Sequence, residues 1–283
     1  MTYRKVFDPA SEPARPTLGA FPGDDLVYVF DNERMVLAVN VALQTGRPLL
    51  VFGPPGSGKS TLGPNIARIL GWNSRTEVIT ARTEPEDLLW RFDALRRLND
   101  AQAGALKPEM DAYFSRGVLW EAFADPQGFV AIIDEIDKAD PDVPNGLLKP
   151  LGTLSFETPW GQTVSASTGR SPLVVITTND ERQLSGPFLR RCITIRVGHP
   201  TTKHLLKVAE CHLGEHYDRS LALRVAAELE QAGRDAPQRP STAEFLDTLV
   251  ACIKLEINAD AAEWELLRDV ALLKRRGSDD LSR

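Results

Sequence analysis

Eight consecutive residues, Gly53-Pro54-Pro55-Gly56-Ser57-Gly58-Lys59-Ser60, have the types and spacing of a phosphate-binding loop, and Thr61 follows directly. Glycines let such a loop curl so that several backbone N–H groups face inward, and the positive end of a following helix adds to the cradle. In that setting Lys59 reaches the β and γ phosphates as a point charge. Ser60 offers a hydroxyl to Mg²⁺, a cation that takes oxygen ligands and bridges phosphates. The plainer reading is a glycine-rich turn before a helix. Against it stands the context: the apolar run Pro48 to Phe52 precedes the loop and a helical stretch follows it.

A second chemical group follows the run Phe129-Val130-Ala131-Ile132-Ile133, which ends in Asp134-Glu135. Two carboxylates at the C-terminal end of a buried strand lie where open α/β sheets place their ligands. Asp134 suits Mg²⁺, directly or through water. Glu135 suits orientation and activation of a water for attack on phosphorus. Asp137 could be a third participant but reads better as a helix N-cap or a solvated residue. A further run, Leu173 to Thr178, ends in Asn179, whose amide both donates and accepts; if its strand neighbours that of Asp134, Asn179 lies near the γ phosphate or the attacking water. The alternatives are an acidic turn for the first pair and a turn-forming Asn-Asp for the second.

Positioning these groups takes strands that alternate with helices. Apolar residues recur at helical spacing over Asp31 to Thr45, with Asp31 or Asn32 as N-cap. Short apolar runs at 48–52, 76–80, 129–133, 173–177 and 193–197 read as buried parallel strands. The pattern predicts an α/β fold: a P-loop three-layer sandwich with a parallel sheet. After Pro200 the segments 201–216, 218–232, 241–255 and 261–275 read as amphipathic helices, hence a small all-helical lid. The expected layout is a flexible arm at 1–24, a nucleotide-binding core at 25–199 and the lid at 200–283.

Taken in order, GPPGSGKS, VAIIDEIDKAD, VVITTND and GPFLRRC resemble the AAA+ superfamily, most of all its MoxR-like branch, over about residues 30 to 255. RTEPEDLLWRF at 82–92 and RGVLWEAF at 116–123 match that branch where it carries an insertion in the second core helix. Leu154 to Ser167 fits its second insertion, a hairpin, with Pro159-Trp160-Gly161-Gln162 at the turn. The resemblance makes Trp160 a candidate contact for a client at a ring pore, against an equal reading as packing at the hairpin base.

By the same resemblance Lys59 and Ser60 are Walker A residues, Asp134 and Glu135 are Walker B residues, and Asn179 is the first sensor. Arg191 is the arginine finger, with Arg190 the neighbouring alternative; a surface pair neutralising local acid is the other reading. The implied protein hydrolyses ATP with Mg²⁺, assembles as a homo-oligomeric, hexameric ring and remodels a partner protein. A nucleotide-dependent scaffold with little turnover and a GTP-using restriction-type motor are the alternatives. One departure stands out: where the family often carries a second-sensor arginine, PSTAEF has Ala243, and Arg234 and Arg239 are nearby but not at that position.

Composition agrees with a globular protein and adds exclusions. Of 283 residues, 42% are hydrophobic and 25% charged, enough for a sizeable core. The net charge of −6 gives no support to generic nucleic-acid binding. The three cysteines form no disulfide or metal framework, and no apolar run has the length of a signal or a membrane span, so a cytoplasmic protein is expected. His204, Cys211, His212 and His216 invite a zinc reading, but the cysteine lies off the face that the histidines share, and an exposed helix face is the simpler expectation.

Overall fold

A computed structural model of the chain describes residues 3–11, 27–167, 169–235, 240–258 and 262–272. They fall into two compact units. One holds the described residues within 3–11, Asn32–Gly53 and Leu62–Arg196; the other holds residues 27–31, Pro54–Thr61 and the described residues from Val197 onward. The loop Pro54–Thr61 and the short segment before the first helix therefore pack with the helical unit, although sequence order assigns them to the core.

The first unit is built on five parallel strands: β1 (Leu49–Phe52), β2 (Asn73–Val78), β5 (Phe129–Asp134), β8 (Leu173–Thr178) and β9 (Ile193–Arg196), in the order β2-β5-β8-β1-β9. The inner strands β5 and β8 are buried at every position, as their unbroken apolar character requires when both faces are covered. Helix α2 (Lys59–Leu70) approaches one face so closely that a Cβ on its Gly63 would stand 2.3 Å from Ile132 of β5. Ala131 and Ile133, on the opposite face, join the core formed with helix α4 (Val118–Ala124). Helix α1 (Glu33–Thr45) is capped by Asn32, whose side chain accepts from the Arg34 N–H.

β2 corrects the expected run at 76–80. The strand begins at Asn73 and alternates between exposed and half-buried residues. It is an edge strand, where polar residues suffice and protect against unwanted pairing, so its hydropathy signal is weak.

Two antiparallel hairpins decorate this unit. β3 (Trp90–Phe92) pairs with β4 (Phe114–Arg116), helix α3 (Ala94–Gln102) lying between them in sequence, and β6 (Ser155–Glu157) pairs with β7 (Thr163–Ser165). Aromatic rings join the hairpins. Phe114 and Trp160 have centroids 4.6 Å apart, Trp90 and Phe156 are 5.5 Å apart, and Trp120 of α4 lies 5.9 Å from Trp160. Trp160 is half-buried against the core, the arrangement that its reading as packing at the hairpin base expects. Within the stretch expected to be a flexible arm, Phe7 is fully buried. Asn40 of α1 accepts from the N–H groups of Val6 and Phe7 and donates to the Phe7 carbonyl.

The second unit packs α8 (Thr202–Leu213), α9 (Arg219–Asp235), α10 (Thr242–Leu255) and α11 (Ala262–Leu267) around a core that includes Phe245, Leu249 and Trp264. His204 and His212 tie residues 27–31 to α8: His204 Nδ1 lies 2.9 Å from Asp31 Oδ1 and His212 Nε2 2.9 Å from the Val27 carbonyl oxygen. Burial holds the His212 imidazole below its usual pKa. Among the described residues no cluster of metal ligands occurs.

Candidate functional site

In a parallel sheet every strand ends at the same edge, and β5, β8 and β1 are neighbours. Asp134-Glu135, Asn179 and Gly53 therefore leave the sheet side by side, and the Gly53 N–H donates to the Thr178 carbonyl at 3.2 Å. This edge is where ligands of open α/β sheets sit.

The acidic pair and the polar sensor are joined there by hydrogen bonds. Asn179 Nδ2 donates to Glu135 Oε1 at 3.0 Å. The hydroxyl of Thr177, fully buried in β8, donates to Asp134 Oδ1 and accepts the Glu135 N–H at 2.9 Å. One side chain thus orients both acidic residues. Glu135 is held at φ 60° and Asp180 at φ 64°, in the left-handed region that non-glycine residues seldom occupy. Such conformations persist only where the surroundings enforce them, and they gather at functional sites.

Asp137 differs from its expected roles. It is neither solvated nor a cap: its exposure is 2%, and the cap of its short helix, Ile136–Lys138, is Glu135. Its carboxylate accepts the Glu181 N–H at 3.0 Å and, more weakly, the Asn179 N–H at 3.4 Å.

The loop Pro54–Thr61 is curled as its glycines require, with Gly56 at φ 70° and Gly58 at φ 85°. Lys59 is buried, and its ammonium donates to the Pro54 carbonyl at 2.8 Å. Thr61 Oγ1 donates to the Gly58 carbonyl, so its hydroxyl serves the loop's own shape. Among the described residues Ser57 Oγ is buried without a hydrogen-bond partner, a state that buried polar atoms seldom keep. Ser60 and Pro55 are exposed.

Within the helical unit two side chains pack against this loop. A Cβ on Gly56 would stand 2.2 Å from Ser241 Oγ, and one on Gly58 would stand 3.3 Å from the ring of Tyr28. Burial, helped by Asp31, pushes the Tyr28 phenol up to about 12, so it stays neutral. Ser241 caps α10 in a reciprocal box with Glu244. Ala243, which stands where the resemblance implies a second-sensor arginine, is exposed; Ser241 is what meets the loop. Arg239 and the side chain of Arg234 lie outside the described residues.

Arg190 and Arg191 follow the short helix α7 (Gly186–Leu189) and are exposed. Arg47 donates to the Arg190 carbonyl, and the Arg191 side chain runs past Gly152 toward the Pro187 carbonyl. Neither guanidinium bonds to Glu135 or Asn179, and among the described residues neither pairs with a carboxylate, which removes the expectation of a pair neutralising local acid.

Sequence reading missed Thr177, Tyr28, Ser241 and the role of Asp137. A buried Thr in a strand is ordinary, and its contact with Asp134 depends on which strands are neighbours. The signals available were the Thr177-Thr178 pair closing an apolar run and the Ser241-x-x-Glu244 capping pattern.

Among solved structures, two single-site variants of RuvB from Thermotoga maritima match the chain. One has a TM-score of 0.50 and the other 0.51; both are 18% identical, and each match covers 84% of this chain and 67% of that one. At this identity the likeness concerns the fold, a five-stranded parallel sheet of the AAA+ kind followed by helices. The family described as AAA domain (dynein-related subfamily) matches residues 48–192, more than half of the 283. That span runs from the residue before β1 to the residue before β9 and takes in the loop, the acidic pair, the sensor and both arginines, so the chain belongs to the AAA domain (dynein-related subfamily), a family of ATPases.

Proposed function

We propose that the protein is a magnesium-dependent ATP hydrolase of the MoxR-like branch, working as a ring-forming motor that reshapes a partner protein. The observation that carries the catalytic part is the joined cluster of Asp134, Glu135, Thr177 and Asn179 at the strand ends. The orphaned Ser57 hydroxyl, the buried Lys59 and the glycines whose absent side chains leave a cradle suit a triphosphate in the loop. The oxygen donors Ser60 and Asp134 suit Mg²⁺, which when bound neutralises charge on the phosphate oxygens.

In this reading Lys59 exchanges the Pro54 carbonyl for phosphate oxygens. Glu135, its carboxylate aimed by Asn179, takes the proton of the attacking water. Arg191, with Arg190 beside it, acts on the site of a neighbouring copy, and its lack of a carboxylate partner among the described residues leaves it available for that task. The two hairpins at 90–116 and 155–165 support the MoxR-like assignment.

The test is steady-state hydrolysis of ATP with Mg²⁺ by the full chain and by Glu135→Gln. Loss of a general base should lower turnover by at least about 100-fold while nucleotide affinity is retained. Equal turnover in both proteins would reject the assignment of Glu135. A second reading, an assembly scaffold with little turnover, draws on Ala243: the turn that meets the loop carries Ser241 and Glu244 in place of a cation. Weak hydrolysis by the wild type, equal to that of the variant, with intact binding would favour it.

A further inference from the structure

Asp137 is a buried carboxylate with no part in the proposed chemistry, and a buried charge is costly unless it is hydrogen-bonded. It lies inside the short helix after β5, yet its side chain does not serve that helix. It receives backbone N–H groups from residues 42 and 44 positions further along the chain, Asn179 to Oδ1 at 3.4 Å and Glu181 to Oδ2 at 3.0 Å. Those N–H groups belong to the turn that leaves β8, and the same turn carries the Asn179 side chain that donates to Glu135. Between them sits Asp180 at φ 64°, a left-handed conformation that aspartate adopts more readily than most non-glycine residues and that its own N–H, donating to Thr178 Oγ1 at 3.0 Å, helps to hold. Two more contacts run between the same segments: Lys138 Nζ to Glu181 Oε2 at 2.6 Å and Arg182 Nη1 to the Ala139 carbonyl at 3.0 Å. Both involve side chains at the surface, where such contacts hold geometry loosely. Asp137 is the buried contact of the set.

We propose that Asp137 is a positioning residue for hydrolysis: by clamping the Asn179–Glu181 backbone it sets the direction of the Asn179 amide and, through it, the Glu135 carboxylate. The inference rests on the ATPase reading and specifies how its base is aimed. A carboxylate accepts at both oxygens, whereas an amide accepts at one and presents donors at the other. Asp137→Asn therefore keeps the shape and loses one side of the clamp.

The experiment compares kcat, KM for ATP and thermal midpoint for wild type, Asp137→Asn, Asn179→Ala and the double variant, with amide hydrogen exchange followed over residues 178–182. In Asp137→Asn, kcat should fall roughly 10- to 100-fold, the loss that misplacement of a catalytic group by about 1 Å brings, with KM and midpoint nearly unchanged. Exchange over 178–182 should quicken. Adding Asp137→Asn to Asn179→Ala should cost nothing further, because both act on the same amide. Wild-type kcat in Asp137→Asn overturns the inference, as does a double variant whose loss is the product of the single losses. A parallel fall in kcat, affinity and midpoint assigns the residue to structure alone. Should the Asn variant fail to fold, Asp137→Ser carries the same expectation with less bulk, and failure of both likewise overturns the proposal. A wild type that does not hydrolyse ATP removes the ATPase reading itself, and that is seen in the first arm of the assay.

Discussion

Gly56 shows how much one residue's lack of a side chain can matter in this protein. Its φ of 70° is open to glycine and strained for alanine, and a Cβ there would stand 2.2 Å from Ser241 Oγ and 2.4 Å from Ser241 Cβ. Gly56→Ala therefore combines backbone strain with overpacking and should cost about 1–3 kcal/mol, read as a lower thermal midpoint. Ser241→Gly in that background should restore part of the loss, since it removes the obstructing atoms but not the strain. An unchanged midpoint in Gly56→Ala would contradict the close approach of α10 to the loop. The loop, the acidic pair and Asn179 could be singled out in sequence because each directly follows an apolar run, and those runs become neighbouring strands of one parallel sheet. Thr177, Asp137 and Ser241 were not, since each acquires its role from a neighbour 42 or more residues away in the chain or from a packed helix end.

Among the elements, the inner strands were legible to within a residue, since burial on both faces demands unbroken apolar runs. β2 was misplaced by three residues at its start because an edge strand needs no such run. The hairpin β6/β7 was legible from its turn, and the packing of Trp160 against Phe114 was not, because the partner lies on another hairpin. That packing has a consequence for stability. A core Trp→Ala change costs 3–5 kcal/mol; for the half-buried Trp160 about 2 kcal/mol is expected, lowering the thermal midpoint by roughly 4–8 °C. Unchanged melting of Trp160→Ala would favour a displayed contact over the packing role.

For the whole molecule, the parallel sheet sets the edge at which the acidic residues emerge, and the helical unit holds the phosphate-binding loop through Ser241 and Tyr28. Among the described residues no helix is long and apolar enough to cross a membrane. The central claim is that this loop takes a triphosphate. Its most direct test is calorimetric titration of ATP with Mg²⁺ into the full-length chain and into Lys59→Ala. Saturable uptake of one nucleotide per chain is expected in the wild type. Loss of a charge-assisted contact worth about 1.5–3 kcal/mol should weaken it by roughly 10- to 100-fold in the variant. No uptake by the wild type, or equal affinity in the two proteins, would contradict the claim.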